Sequence, residues 1–292
     1  MDSGRGPGLI PVARRMSGAF ALVVLGFLGA SPPAEAQAGG VRELPLEPIR
    51  ASAAPVPFGP GETAEYQVKM GMFNVGTGHM TVHGVERVRG HSTYHVSMGV
   101  SGGRLGLRVN NLYQSWMDIR TLASRRFIQD QHEIRTQRVR HFEIYPEEGR
   151  YERMDVEDSG KLITDVPLDD ISFVYYARTL PLEVGDVYTL EQYFREERNP
   201  VVLQVLRREE VTVPAGTFQT IVIRPILQAG GLFGEGGEAE VYLTDDEHRI
   251  MIMMRARVPV LRSITLLLTD VRMGRPLRAL NSPGGLPDDD GS

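Results

Sequence analysis

Apolar residues recur at every second position through most of the chain from residue 58 to residue 275, and helical periodicity is nearly absent there. This spacing is typical of strands that turn one face toward a core. Clusters of turn residues separate the runs and indicate antiparallel hairpins. We predict one hairpin within 76–100 and further strands over 106–117, 123–130, 133–145, 186–198, 201–213, 217–228, 238–244, 249–258 and 261–271.

The register of the first hairpin follows from matching the apolar positions of its two strands. Val82 then lies opposite Val96, and the loop is Val88-Arg89-Gly90. A three-residue loop with glycine last is typical of a type I turn closed by a left-handed bulge. The same register places His83 opposite His95.

One segment departs from the alternation. Ile171, Val174 and Tyr175 have helical spacing, and Asp169 or Asp170 before them can accept hydrogen bonds from the free amides of a first helical turn. We expect a short helix from about Asp169 to Thr179. The fold class predicted is therefore all-β, mostly antiparallel, with a strongly curved sheet or incomplete β-barrel and one short helix.

The two ends of the chain lack this pattern. Arg14-Arg15, a short apolar run and then Ala34 and Ala36 have the order of a cleavable signal peptide over residues 1–36. That apolar run is shorter than the roughly 20 residues that cross a bilayer. We therefore expect a mature protein that starts near Gln37 in the periplasm or outside the cell. Residues 37–57 are predicted to be a disordered linker and residues 276–292 a disordered tail.

Composition narrows the class of protein. The chain has no cysteine, which excludes a disulfide scaffold and a lipid anchor on cysteine. Its formal net charge of −5 argues against nucleic acid as a partner.

The chain resembles a bacterial envelope family known as domain of unknown function DUF 3108. The resemblance spans about residues 58–272, and we assign residues 58–275 to a domain of this kind. It implies an envelope protein and no established activity. It is carried by these segments: Phe58–Glu62 with Tyr66 and Val68, Pro167–Arg178, Gly185-Asp186, Val211–Phe218 and Tyr242–Asp246.

Two motifs suggest chemistry but have simpler explanations. Gly99–Gly103 matches the G-x-S-x-G of a hydrolase nucleophile, yet a strand-like run follows where the motif needs a helix. A glycine-rich hairpin turn is the better interpretation. Asp245 to His248 lacks the spacing of a calcium loop, so we interpret it as a polar turn.

The histidines of the first hairpin are candidate metal ligands. His79, His83 and His95 share the predicted outward face, where cross-strand neighbours lie about 5 Å apart at Cβ. Exposed histidines are also commonly just solvated, and no cofactor is indicated elsewhere in the sequence.

Two arginines and four methionines are candidate ligand-binding residues. Arg138 and Arg140 share strand parity with Phe142 and Ile144 and would point inward on an ideal strand, where they could bind an anionic headgroup. A bulge, or a strand that extends past the core, would explain them without a ligand. The methionines could line an adaptable apolar pocket or simply fill the core: Met80, Met98, Met251 and Met253. The glycine-rich segment 230–237 could cover a cavity mouth or be an ordinary loop.

The favoured function is a non-enzymatic envelope protein that binds an apolar or amphipathic, lipid-like ligand inside the curved sheet. The expected partner is a lipid or glycolipid. The first alternative is a scaffold that binds another envelope protein through a sheet edge or face, and a hydrolase or metal-dependent enzyme ranks last.

Overall fold

A computed structural model describes residues 42–43, 56–104, 107–133, 136–227, 238–257 and 263–277. These residues form one sheet and one α-helix, α1 (Ser172–Ala177). The strands are β1 (Arg42–Glu43), β2 (Thr63–Met70), β3 (Phe73–Val88), β4 (His91–Arg104), β5 (Leu107–Asp118), β6 (Ser124–Glu133), β7 (Thr136–Tyr145), β8 (Arg150–Arg153), β9 (Asp158–Lys161), β10 (Asp186–Leu190), β11 (Val201–Val213), β12 (Gly216–Leu227), β13 (Glu238–Thr244), β14 (Met251–Arg257) and β15 (Ile264–Arg272).

The order of the strands confirms the predicted fold class. The sheet runs β1-β10-β11-β12-β13-β14-β15-β2-β3-β4-β5-β6-β7-β8-β9, so β1 and β9 are its two edges. Neighbouring strands are antiparallel except β1 and β10, which are parallel. The strand predicted over 186–198 is too long, because β10 ends at Leu190 and Glu196–Arg198 form a 3-10 turn.

The first hairpin differs from its predicted register by one residue. Val82 pairs with Val96 as expected, but Val88 pairs with His91 and leaves the two-residue loop Arg89-Gly90. Both loop residues have positive φ, 49° and 84°, as in a type I′ turn. A bulge between Val82 and Gly84 accounts for the shift, so Gly84 pairs with His95 and the predicted pairing of His83 with His95 is wrong. The predicted three-residue loop is therefore wrong.

Helix α1 lies inside the predicted helical segment and is held by Asp169. The carboxylate Oδ1 of Asp169 accepts the N–H groups of Ile171 and Ser172, each at 2.8 Å, which confirms the capping prediction for this residue. Its Oδ2 accepts the hydroxyl of Ser115 at 2.6 Å and that of Ser124. Asp169 thereby ties the start of α1 to β5 and β6.

A buried ion pair holds the end of the same helix. Arg178 donates to both carboxylate oxygens of Glu62 at 2.6 and 3.0 Å. Its guanidinium also lies 5.3 Å from the ring centroids of Phe58 and Tyr175. Because neither charge reaches water, each depends on the other. The two segments that this pair joins are among those that carry the family resemblance.

The concave face of the sheet closes on α1 and the segment that follows it. Tyr66, Val96, Phe127, Tyr175 and Tyr188 belong to one continuous hydrophobic core. Among the described residues, no helix has the length and apolar content that crossing a membrane requires.

Several predicted segments fall outside the described residues. These are the signal peptide, the loop at 230–237, most of the tail and most of the linker. Within the predicted linker, Arg42–Glu43 form β1.

Candidate functional site: an arginine cluster on the inner face

Arg138 and Arg140 lie on the core side of β7. The pairing of β6 with β7 is regular, with no bulge, so the alternation of faces persists along the strand. Phe142 and Ile144 are buried on the inner side, whereas Val139 between the two arginines is exposed. Both arginines are half-buried. The strand parity of these residues in the sequence therefore gives the side of the sheet on which they lie.

A polar network connects Arg140 to the segment after α1. Arg140 donates to Oε1 of Gln129 at 3.1 Å, and Gln129 donates to Asp170 at 3.0 Å. Asp170 also accepts from the hydroxyl of Tyr193 at 2.8 Å and from Arg198 at 3.3 Å. The buried carboxylate of Asp170 thus holds Gln129 and Arg198 in place, and Gln129 in turn contacts Arg140.

The charges of four other arginines act on Arg140. Burial, and then the positive charges of its four arginine neighbours, hold the pKa of Arg140 below its ordinary value. The four come from β7, from the end of β8, and from the 3-10 turn that follows β10 together with the residue before that turn: Arg138, Arg153, Arg195 and Arg198. We call these five residues the arginine cluster.

Only three members of the arginine cluster have a carboxylate partner among the described residues. Arg153 binds Asp155, Arg195 binds Glu197, and Arg198 binds Asp170. Arg138 and Arg140 have none, and the acceptor on Arg140 is a neutral amide. Half-buried charges are normally paired, because removal from water costs free energy that only an opposite charge or hydrogen bonds recover. Two guanidinium groups on one wall are thus available to a phosphate or carboxylate, whose oxygens match the planar fork of N–H donors.

A shallow cleft opens beside Arg153. Its volume is about 590 Å³, and its lining includes Met154, Val156, Glu157 and Asp158. Met154 and Val156 are exposed by about half. The cleft beside Arg153 therefore has both apolar and acidic side chains in its lining.

The four candidate methionines lie elsewhere. Met80, Met98, Met251 and Met253 are each at least nine-tenths buried and belong to the hydrophobic core. Two clefts among the described residues are lined largely by charged side chains rather than by these methionines. In this part of the chain the methionines fill the core.

The candidate histidines form a stack. The rings of His83 and His95 have centroids 4.5 Å apart, and His95 stacks in turn on Trp116 at 4.3 Å. His83 contacts the hydroxyl of Ser97, and His95 contacts Glu86. Burial, followed by the charge of His95, holds the pKa of His83 below its ordinary value. His79 instead lies over Gly99. No group of three or more metal-ligating side chains occurs in the described ranges.

The two weaker motifs have structural roles. Ser101 lies within β4 and contacts Thr77, so the expectation of a hairpin turn at Gly99–Gly103 is wrong. Gly76 and Gly102 let β3 and β4 approach closely, since a Cβ on Gly102 would lie 2.2 Å from the carbonyl oxygen of Val75. The segment at 245–248 is the expected polar turn, in which Asp246 accepts the N–H of His248 at 2.9 Å.

The sequence pattern does not indicate that Arg153, Arg195 and Arg198 lie near Arg140. Arg195 and Arg198 lie more than fifty residues beyond Arg140 in the chain, in a segment predicted to continue a strand. Only the packing of that segment against the inner face of β6 and β7 brings them to the cluster. No local pattern signals this proximity.

The fold and site define a curved, mostly antiparallel sheet around a buried helix, with a basic inner wall at β7. The sequence profile of the family described as protein of unknown function (DUF3108) matches residues 65–269. The chain therefore belongs to this family. A search of the curated proteins finds no match.

Three solved structures have a similar course of the chain at low identity. One is a β-barrel-like protein of the family DUF1849 from Brucella abortus, with 10% identity, a TM-score of 0.46, and coverage of 74% of this chain and 98% of that one. A proposed lipoprotein from Parabacteroides distasonis has 8% identity, a TM-score of 0.31, and coverage of 75% and 99%. A proposed exported protein from Bacteroides fragilis has 10% identity, a TM-score of 0.28, and coverage of 75% and 98%. At these TM-scores the likenesses carry no argument about function.

Proposed function

We propose that this protein is an exported envelope protein whose arginine cluster binds the anionic headgroup of an amphipathic ligand. One observation carries the proposal: Arg138 and Arg140 are half-buried on the inner face without a carboxylate among the described residues. A phosphate or carboxylate between them would supply the missing charge and accept hydrogen bonds from both guanidinium groups. Export is inferred from the signal-like order of residues 1–36.

The lipid-like part of the ligand is inferred from the surroundings of the cluster. The core is packed where the methionines lie, so an apolar tail would lie along the exposed Met154 and Val156 in the cleft beside Arg153. The favoured site is thus the basic wall and its cleft rather than a hollow interior.

The test is calorimetric titration of the mature protein with inorganic phosphate and, separately, with a short-chain phosphatidic acid. We expect the lipid phosphate to bind more tightly than phosphate. In the double variant R138Q/R140Q its affinity should fall at least about tenfold, because each charge-assisted hydrogen bond contributes about 1.5–3 kcal/mol. R87Q is the control for the loss of an exposed arginine, since Arg87 lies on β3 outside the cluster.

A second readout separates binding from folding. Removing two uncompensated, partly buried charges should stabilise the unliganded protein by up to about 1 kcal/mol, after allowance for solvent screening. The proposal fails if the wild-type protein binds neither probe, or if R138Q/R140Q binds as the wild-type protein does. Equal affinity for phosphate and for phosphatidic acid would support an anion site but contradict the proposed contact with a lipid-like tail.

The edge strand β9 supports a second candidate function. β9 has a strand neighbour on one side only, and Met154, Val156 and Ile163 are exposed near it. An extended segment of another envelope protein could pair with this edge. This scaffold function becomes the leading candidate if the titrations show no anion binding.

A further inference from the structure

A row of basic side chains crosses the sheet far from the arginine cluster. Arg255 on β14 and Lys69 on β2 both pair with Thr265 on β15, which places them at one level and on one face. Glu240, the partner of Arg255 on β13, accepts from Arg224 of β12 at 3.1 Å and from Arg207 of β11 at 2.9 Å. We call Lys69, Arg207, Arg224 and Arg255 the basic belt.

The basic belt has a surplus of positive charge. Glu240 and Glu209 form ion pairs with Arg207, and their two negative charges offset two of the four positive charges of the basic belt. A hydrogen bond from Arg207 lowers the pKa of Glu240 to about 2, so this carboxylate is ionised under all ordinary conditions. Lys69 and Arg255 have no ion-pair partner among the described residues, so the belt keeps two unpaired positive charges on a chain whose formal net charge is −5. The positive charge of the basic belt is therefore local, since the chain as a whole carries a net negative charge.

Exposed apolar side chains lie just beyond the belt at the same end of the sheet. Met70 pairs with Phe73 and leaves Gly71-Met72 as the loop of the β2–β3 hairpin. Met72 is 93% exposed and Phe73 is 54% exposed. Ile226, two residues beyond Arg224 and on the same face, is 41% exposed. These three residues form what we call the apolar tip.

We propose that this end of the sheet docks on an anionic lipid surface. The apolar tip would enter the boundary between headgroups and acyl chains, and the basic belt, one or two residues behind it, would contact lipid phosphates. Interfacial binding of this kind combines buried apolar area with attraction to anionic lipids. Charge complementarity favours an anionic lipid surface, because the belt is a basic patch on a chain of net negative charge. The inference rests on different residues from those of the arginine cluster and stands independently of it.

The experiment is co-sedimentation of the mature protein with vesicles of phosphatidylcholine alone and of phosphatidylcholine mixed with phosphatidylglycerol. We expect binding to the mixed vesicles that decreases as salt is raised, and little binding to the neutral ones. K69E/R255E should reduce the partition coefficient on mixed vesicles at least about tenfold. The matched control is R87E/K161E, which makes the same charge change at exposed positions outside the belt and tip.

M72S tests the apolar tip without risk to folding, because Met72 is almost fully exposed. It should weaken binding to mixed vesicles while leaving the thermal midpoint unchanged. Equal binding to both kinds of vesicle, no binding to either, or an equal loss in R87E/K161E would overturn the proposal. Loss of vesicle binding in R138Q/R140Q but not in K69E/R255E would also overturn it and assign the membrane contact to the arginine cluster.

Discussion

Asp169 illustrates how a residue of the family motif acts through buried contacts. It is fully buried, and its two oxygens accept two backbone N–H groups and two serine hydroxyls. Burial raises its pKa from 3.8 to about 6, although these hydrogen bonds act in the opposite direction. Through these contacts Asp169 attaches α1 to β5 and β6.

The raised pKa of Asp169 predicts a pH dependence of stability. A carboxyl that holds its proton more tightly in the folded state stabilises that state below pH 4 and loses the contribution as pH rises toward 6. The loss is about 3 kcal/mol for a shift of this size. We expect the free energy of unfolding of the wild-type protein to fall over this range relative to that of D169N, measured by urea denaturation at successive pH values.

Comparison with D169N removes the contribution of the other titrating groups, since these are present in both proteins. Glu147 and Glu240, whose pKa values are lowered to about 2 by hydrogen bonds from arginines, titrate alike in both proteins and cancel in the difference. A difference that grows in favour of the wild-type protein as pH rises would show that the four donors, and not burial, dominate at Asp169.

At the same scale, the sequence predicts only part of the arginine cluster. Arg138 and Arg140 could be placed on the inner face because the period of a strand is two and β7 is regular. Arg195 and Arg198 could not, since their proximity depends on a return of the chain across the core. The face on which a strand residue lies can be read from its neighbours in the sequence. The contact between segments that are distant in the sequence cannot.

The β3–β4 hairpin shows the corresponding limit at the scale of an element. Its pairing of Val82 with Val96 follows from the alternating pattern, but the bulge after Val82 does not. A bulge adds one residue to one strand and leaves the pattern on each side intact. The sequence therefore places the strands to within a few residues while misassigning the turn and the partner of His83.

Glycines within this hairpin predict a sharp contrast between two substitutions. A Cβ on Gly102 would meet the backbone of β3, 2.2 Å from the oxygen of Val75 and 2.7 Å from the Cα of Gly76, whereas one on Gly84 meets nothing within 4 Å. Because backbone cannot rotate away, G102A should lower the free energy of unfolding by about 1–3 kcal/mol. G84A should be neutral to within about 0.5 kcal/mol. Urea denaturation of both variants measures the difference, and equal effects would contradict the close approach of the two strands.

For the whole molecule, the described residues form one continuous hydrophobic core. The core includes the four methionines that were candidates for a pocket. Charge then becomes the informative feature, with a basic inner wall at β7 and a basic belt at one end of a chain that is acidic overall. Both features would serve a protein that handles anionic amphiphiles in the bacterial envelope.

Native mass spectrometry after export and gentle purification tests this account most directly. We expect the wild-type protein to begin at Gln37 and to carry a bound anionic amphiphile, to lose that added mass in R138Q/R140Q, and to keep it in R87Q. A wild-type protein that has only the mass of its own chain, or a double variant that retains the added mass, would contradict the claim that the arginine cluster is the ligand site.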